Sequence, residues 1–257
     1  MSPIRTYEPG EFCWTDLGAR DVAAAKKFYQ SLFGWKSVDF PMGPGDEKYS
    51  MMRIGGKDVC AIYPMSAEQK KAKTAPFWLP YIAVKSVDAA AKKARAAGGK
   101  IGMKPMDVMD QGRVAIITDP IGGGVALWQA RAHRGAALTD KPGTVTWHDL
   151  NTPRPAAAGK FYTKVFGWKL VDQDFDGNKY HLLTLKGDGV CGIWPEPSKK
   201  LPPSWITHWK VVDCTKTVAK AKRLGGRVVL GPIGVSGMGH FAIVKDPQGA
   251  AFGLIGK

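Results

Sequence analysis

Apolar and polar positions recur in a fixed cycle along this chain of 257 residues. Glu11–Gly18 is a short apolar run of strand length. Ala25, Phe28, Leu32 and Phe33 follow at i, i+3, i+7 and i+8 spacing, the stripe of an amphipathic helix. Gly34 stands where a left-handed C-cap is wanted, and short β segments come next over Lys48–Ile54 and Asp58–Tyr63. The cycle then restarts. Phe77–Val84 reads as a strand, Ser86 as the N-cap of a helix running through Ala97, and Gly98 as its end. Further strands are predicted near Lys100–Met103, Val114–Asp119 and Gly124–Gln129.

The second half of the chain repeats the first. WTDL at Trp14–Leu17 returns as WHDL at Trp147–Leu150, and KFYQSLFGWKSVD at Lys27–Asp39 returns as KFYTKVFGWKLVD at Lys160–Asp172. Lys48–Pro64 matches Lys179–Pro195, and DPIGGGVAL at Asp119–Leu127 matches DPQGAAFGL at Asp246–Leu254. Pro155 opens the second copy's first helix, where proline is tolerated, and Asp213 takes the N-cap place of Ser86. The predicted organisation is therefore one domain over 8–131, a small, polar linker over 132–142, and a second domain over 143–257. Each domain holds two βαβββ units, an α+β fold with helices on one face of each curved, partly closed sheet and the other face concave. A ferredoxin-like sandwich is the other fold such patterns allow, but three β segments follow each helix here.

Charge and cysteine usage narrow the function classes. The chain has 37 Lys and Arg against 22 Asp and Glu, for a net charge of +15. The cations fall mostly in helix-face pairs such as Lys26–Lys27, Lys92–Lys93 and Lys222–Arg223, the signature of a solvated surface. No zinc-finger or RNA-binding signature accompanies them, so no nucleic-acid partner is expected. Cys13, Cys60, Cys191 and Cys214 are far apart and read as buried thiols. No run approaches the roughly 18–20 apolar residues of a membrane span, and the opening lacks an apolar signal segment. A cytoplasmic monomer or homodimer, with no membrane partner, is the expectation.

The DxxAAxxFYxxLFGW pattern after the first strand and DPxGxxxxL at the last resemble the vicinal oxygen chelate superfamily of glyoxalases, bleomycin-resistance proteins and extradiol dioxygenases. The paired FCWTDL and VTWHDL openings are similar to its two-domain bacterial branch, whose members carry labels such as hydroxylase or mycobacterial antigen. The resemblance implies a divalent metal held by a first-strand His, a fifth-strand His, Gln or Glu, and an eighth-strand Glu. Those places fall on Trp14, near Leu79 and on Ala126 in copy one, and on Trp147, near Ile206 and on Gly253 in copy two. None of these side chains is a donor for a divalent cation, so no metal cofactor is expected there.

What remains is read from strand alternation. Two places beyond the ligand positions lie Asp16 and Asp149 on the first strands and Tyr81 and His208 on the fifth, with Lys210 one step further. On the seventh strand, Phe241 and Ile243 read as the helix-packed face, which turns His240 into the cavity opposite copy one's Arg113. Asp149 beside His208 would make a general base, and Asp149, His208 and His240 would also serve as a relocated donor set. The expected catalytic group is thus Asp149, His208, His240 and Lys210. The expected ligand-binding group is Trp14, Asp16, Trp78, Tyr81, Arg113, Trp147 and Trp205, whose indoles suit a hydrophobic or aromatic small molecule. The function expected is a metal-independent glyoxalase-like binding protein of the sequestration or resistance type. The alternative is a lyase, isomerase or hydroxylase acting through Asp149 and His208.

Overall fold

The computed structural model describes residues 6–43, 45–175, 177–195, 203–235, 237 and 239–257. Four βαβββ modules follow one another. The first runs β1 (Phe12–Ala19), α1 (Val22–Phe33), β2 (Lys36–Pro41), β3 (Lys48–Ile54) and β4 (Lys57–Pro64), with a short α2 (Ala67–Lys71) after it. The second comprises β5 (Phe77–Ala83), α3 (Val87–Ala96), β6 (Lys100–Val108), β7 (Gly112–Thr118) and β8 (Gly124–Ala130). The third is β9 (Val145–Thr152), α4 (Pro155–Phe166), β10 (Lys169–Phe175), β11 (Asn178–Leu185) and β12 (Asp188–Pro195). The fourth is β13 (Ser204–Lys210), α5 (Cys214–Arg223), β14 (Arg227–Val235), β15 (Gly239–Lys245) and β16 (Ala251–Gly256).

The strands form two open, mixed, eight-stranded sheets in an α+β arrangement, ordered β2-β3-β4-β1-β5-β8-β7-β6 and β10-β11-β12-β9-β13-β16-β15-β14. Local chemistry explains the helices. Asp21, Ser86 and Asp213 cap α1, α3 and α5 by accepting backbone N–H groups three residues on. Gly34 and Gly167 close α1 and α4 at φ 76° and 75°, a conformation only glycine adopts without strain. No helix among the described residues is long and apolar enough to cross a membrane.

Sheets and compact units divide the chain differently. One unit takes the segments up to Trp14, Leu79–Gly135 and Trp147–Ile206, and the other takes Thr15–Trp78, Ala136–Thr146 and Thr207–Lys257. In the first, Ile82, Leu127, Leu150, Tyr162 and Trp205 share a core, and in the second, Leu17, Tyr29, Trp78, Trp209 and Phe252 share another. Each core thus joins a module from one sequence copy to a module from the other.

The tyrosine of each FY pair anchors this exchange. Tyr162 on α4 donates to Asp119 Oδ2 at 3.1 Å. Asp119 Oδ1 in turn accepts the amides of Ile121, Gly122 and Gly123 at 2.7, 2.8 and 3.1 Å. In the other unit, Tyr29 on α1 donates to Asp246 Oδ2 at 3.1 Å, while Trp78 Nε1 donates to the Tyr29 hydroxyl at 3.1 Å. The DPxG aspartates are turn clamps, each buried and tied to the helix of the opposite copy. Burial raises the pKa of both phenols well above the ordinary value, and the nearby carboxylate adds to the rise.

Surface carboxylates set the acid response. Asp39 is held below the usual carboxylate range by Lys26, Asp88 by Arg113, Asp172 by His181 and then Lys179, and Asp213 by the Lys216 amide. A carboxylate with a depressed folded pKa takes up its proton more readily unfolded, so its contribution is present above about pH 4 and is lost as pH falls. Burial raises the pKa of Asp246, which opposes this trend at one site. The urea midpoint is therefore expected to drop between about pH 5 and pH 3; a flat or rising profile would contradict the predominance of depressed carboxylates.

Candidate functional site

The helix-free face of the β9–β12 sheet carries a buried polar group centred on Asp149 and Tyr180. Leu150, Cys191 and Ile193 lie in the core under the helices, so Trp147, Asp149, Gly192 and Trp194 point the other way. Asp149 and Gly192 are register partners on the parallel β9–β12 pair. A Cβ at Gly192 would overlap both the Tyr180 hydroxyl and the Asp149 carboxylate, so only glycine lets the β11 phenol lie there. Tyr180 donates to Asp149 Oδ1 at 2.8 Å. The Trp147 indole N–H lies 2.9 Å from the Tyr180 oxygen and 3.2 Å from Asp149 Oδ1. The Trp194 ring packs at 4.7 Å from Tyr180, tilted by 47°.

Asp149 and Tyr180 are both buried. Burial first, and the charge of Asp149 second, push the Tyr180 pKa far up. The phenol therefore keeps its proton at neutral pH and acts as a hydrogen-bond donor, not a base. The arrangement provides a carboxylate with a fixed phenol and indole beside it, inside an aromatic wall. Tyr180 escaped the sequence reading because Asp149 lies 31 residues away. Its one signal was the Lys–Tyr pair that recurs at Lys48–Tyr49 and Lys179–Tyr180.

The first copy uses the same residue types and repeats the acid–phenol bond. In one compact unit, Tyr49 donates to buried Asp16 at 2.9 Å, and the Tyr63 ring lies 6.4 Å from Tyr49. Ala61 takes the register place of Gly192. In the other unit, Trp14 is covered by His133, whose ring meets it edge-on at 4.6 Å. Trp128 donates to the His133 carbonyl at 2.9 Å, and Tyr81 sits 6.3 Å from Trp128. Trp14 is 5% exposed. It is packed under the inter-repeat segment, against His133.

Several expected site residues lie elsewhere. Trp78 and Trp205 belong to the two helix-side cores, where alternation puts them opposite Leu79 and Ile206. Ala242 and Val244, not Phe241 and Ile243, face the core beside α5, because the small side chains are the ones the helix can approach. His240 is consequently on the helix-side register of β15 and exposed at the strand's start, not in a cavity. Arg113 shares its face with core residues Ala115 and Ile117 and forms a bidentate pair with Asp88 of α3, at 2.8 and 3.0 Å. Lys210 is exposed at the end of β13. His208 is 3% exposed, and its ring occupies the space a Cβ at its register partner Gly253 would need. Asp149 belongs to one compact unit and His208 to the other.

At the positions of the family's metal ligands this chain carries no donor side chain. Leu79, Ala126 and Ile206 are buried hydrocarbon, Trp14 and Trp147 are indoles, and Gly253 has no side chain. Divalent cations need imidazole, thiolate or carboxylate donors, so these residues do not fit one. Among the described residues no group of three or more His, Cys, Asp and Glu side chains has metal-binding geometry.

The family model for the glyoxalase/bleomycin resistance protein/dioxygenase superfamily matches residues 12–128 and 135–254. The chain is 39% identical over 250 residues to the "Putative glyoxylase CFP32" of Mycobacterium tuberculosis, covering 97% of this chain and 95% of that one. It is 32% identical over 260 residues to the anthracycline biosynthesis protein DnrV of Streptomyces peucetius, with 97% and 94% covered. Among solved structures, the Mn(II)-bound glyoxalase of Novosphingobium aromaticivorans shares the fold at a TM-score of 0.67 and 18% identity, over 96% of this chain and 82% of that one. With both copies matched and this fold in place, the chain belongs to the glyoxalase/bleomycin resistance protein/dioxygenase superfamily.

Proposed function

We propose that this protein binds an aromatic small molecule on the helix-free face of β9–β12, with the Asp149–Tyr180–Trp147 group as polar anchor and no divalent metal at the family positions. The carrying observation is Tyr180, seated over Gly192 and donating to Asp149 at 2.8 Å beside the Trp194 ring. A fixed carboxylate and phenol inside an aromatic wall suit a planar ligand that bears hydroxyl or keto groups. The name of DnrV, an anthracycline biosynthesis protein, points in the same direction, toward anthracyclines. The first copy repeats the acid–phenol bond between Asp16 and Tyr49, but Trp14, the counterpart of Trp147, is covered by His133, so the second-copy group is the one proposed to take the ligand. A cytoplasmic location fits four buried thiols without a disulfide among them.

Calorimetry with an anthracycline aglycone is expected to give one ligand per chain, with affinity unchanged by EDTA. Tyr180→Phe and Asp149→Asn are each expected to weaken it by roughly ten-fold. Binding that vanishes on chelation, or that survives both substitutions intact, would overturn the proposal. A second reading, a lyase, isomerase or hydroxylase with His208 or Asp149 as base, is favoured by the burial of His208 on the helix-free face of β13. Its mark is turnover of a probe such as methylglyoxal with glutathione, lost in His208→Ala and resistant to EDTA.

A further inference from the structure

A cavity of about 370 Å³ opens in the first compact unit, away from the Asp149 group. Its apolar wall comes from Pro9, Ala83, Val84 and Trp128, and its cations are Lys85, Arg131 and Arg134. Among the described residues no carboxylate lines it. Of the acidic groups nearby, Glu8 pairs with Lys186, Asp107 pairs with Arg113 and Arg131, the latter at 2.8 Å, and the Glu11 carboxylate accepts the Glu8 amide. Among the described residues Lys85 and Arg134 form no ion pair, so the positive charge at the mouth is uncompensated. The N-terminus of α3 adds to it. Gln129, another lining residue, accepts the Val87 amide there at 3.1 Å, at the end where the helix dipole is positive.

We infer that this cavity is a binding site for a small organic anion, with the carboxylate held between Lys85 and Arg134 and the carbon body against Val84 and Trp128. Its volume lies within the roughly 300–1,000 Å³ range of small-molecule sites. One apolar side and one cationic side select an aryl carboxylate over either a neutral arene or a bare inorganic anion. Arginine suits the carboxylate through its planar pair of donors, and lysine supplies a point charge. The packed Trp128, only 6% exposed and fixed by its bond to the His133 carbonyl, gives the floor a defined position.

The test is calorimetry on the full chain with 2-naphthoate, with 2-naphthylmethanol and inorganic phosphate as comparison probes. Naphthoate is expected to bind at one site per chain, more weakly at high salt, while the alcohol and phosphate bind at least ten-fold less tightly. The double variant Lys85→Gln, Arg134→Gln changes two exposed side chains and is expected to keep the thermal midpoint while losing naphthoate affinity by roughly ten-fold or more. Tyr180→Phe is expected to leave naphthoate binding unchanged, which separates this cavity from the Asp149 group. No naphthoate binding at millimolar concentration, equal binding of the neutral alcohol, or full affinity in the double variant would each overturn the inference.

Discussion

Asp119→Ala is expected to destabilise the folded chain by about 4 kcal/mol, lowering the thermal midpoint by roughly 10 °C. The carboxylate is 2% exposed and accepts four hydrogen bonds, three from the amides of its own turn and one from Tyr162. Alanine takes the acceptor from the Ile121 and Gly123 amides, while Gly122 keeps the Asp119 main-chain carbonyl and Tyr162 keeps only a longer contact to the Gly123 carbonyl; each buried donor left unpaired costs about 1–3 kcal/mol before the turn relaxes. Asp119→Asn keeps an acceptor for the amides and is expected to cost about half as much. Tyr162→Phe removes one bond and should cost about 1 kcal/mol. Urea unfolding followed by circular dichroism reads all three. If Asp119→Ala fell within about 1 kcal/mol of the parent, the role of the DPxG aspartate as clamp would be wrong.

The second large effect is expected at Gly192. An alanine methyl there enters the space of the Tyr180 hydroxyl and the Asp149 carboxylate, neither of which has room to give while bonded to the other. Overpacking of this kind costs about 1–3 kcal/mol. More telling is the functional loss. The phenol must swing off Asp149, so binding of the aromatic ligand is expected to fall by more than about ten-fold while the chain stays folded. Tyr180→Phe keeps the ring and removes only the donor, which separates crowding from lost polarity. Native stability together with native affinity in Gly192→Ala would rule out the geometry on which the proposed site rests.

Much of the architecture was legible because its causes are local. Helix periodicity, the caps at Ser86 and Asp213, Pro155 at a helix start and Gly34 at a helix end each depend on a few neighbouring residues. The duplication was legible too, since the FGW and DPxG landmarks recur in order. β15 shows where this stops. Phe241, Ala242, Ile243 and Val244 are all apolar, so alternation alone does not say which pair faces the helices. The larger pair was the natural choice, yet α5 packs on the smaller one, and His240 moved with it.

The amino-acid sequence by itself determined the four modules, their helix ends, the absence of metal donors at the family positions, and the aromatic and acidic residues of the first strands. It did so because each depends on residue chemistry or on contacts within a turn or two. Only the tertiary structure decided that Tyr29 reaches Asp246 and Tyr162 reaches Asp119 across the repeat, since near-identical modules offer near-identical partners and packing alone chooses between them. The Asp149–Tyr180 bond is of the same kind: two side chains far apart in the chain meet across the sheet, and glycine at 192 leaves room for the phenol in the position it takes.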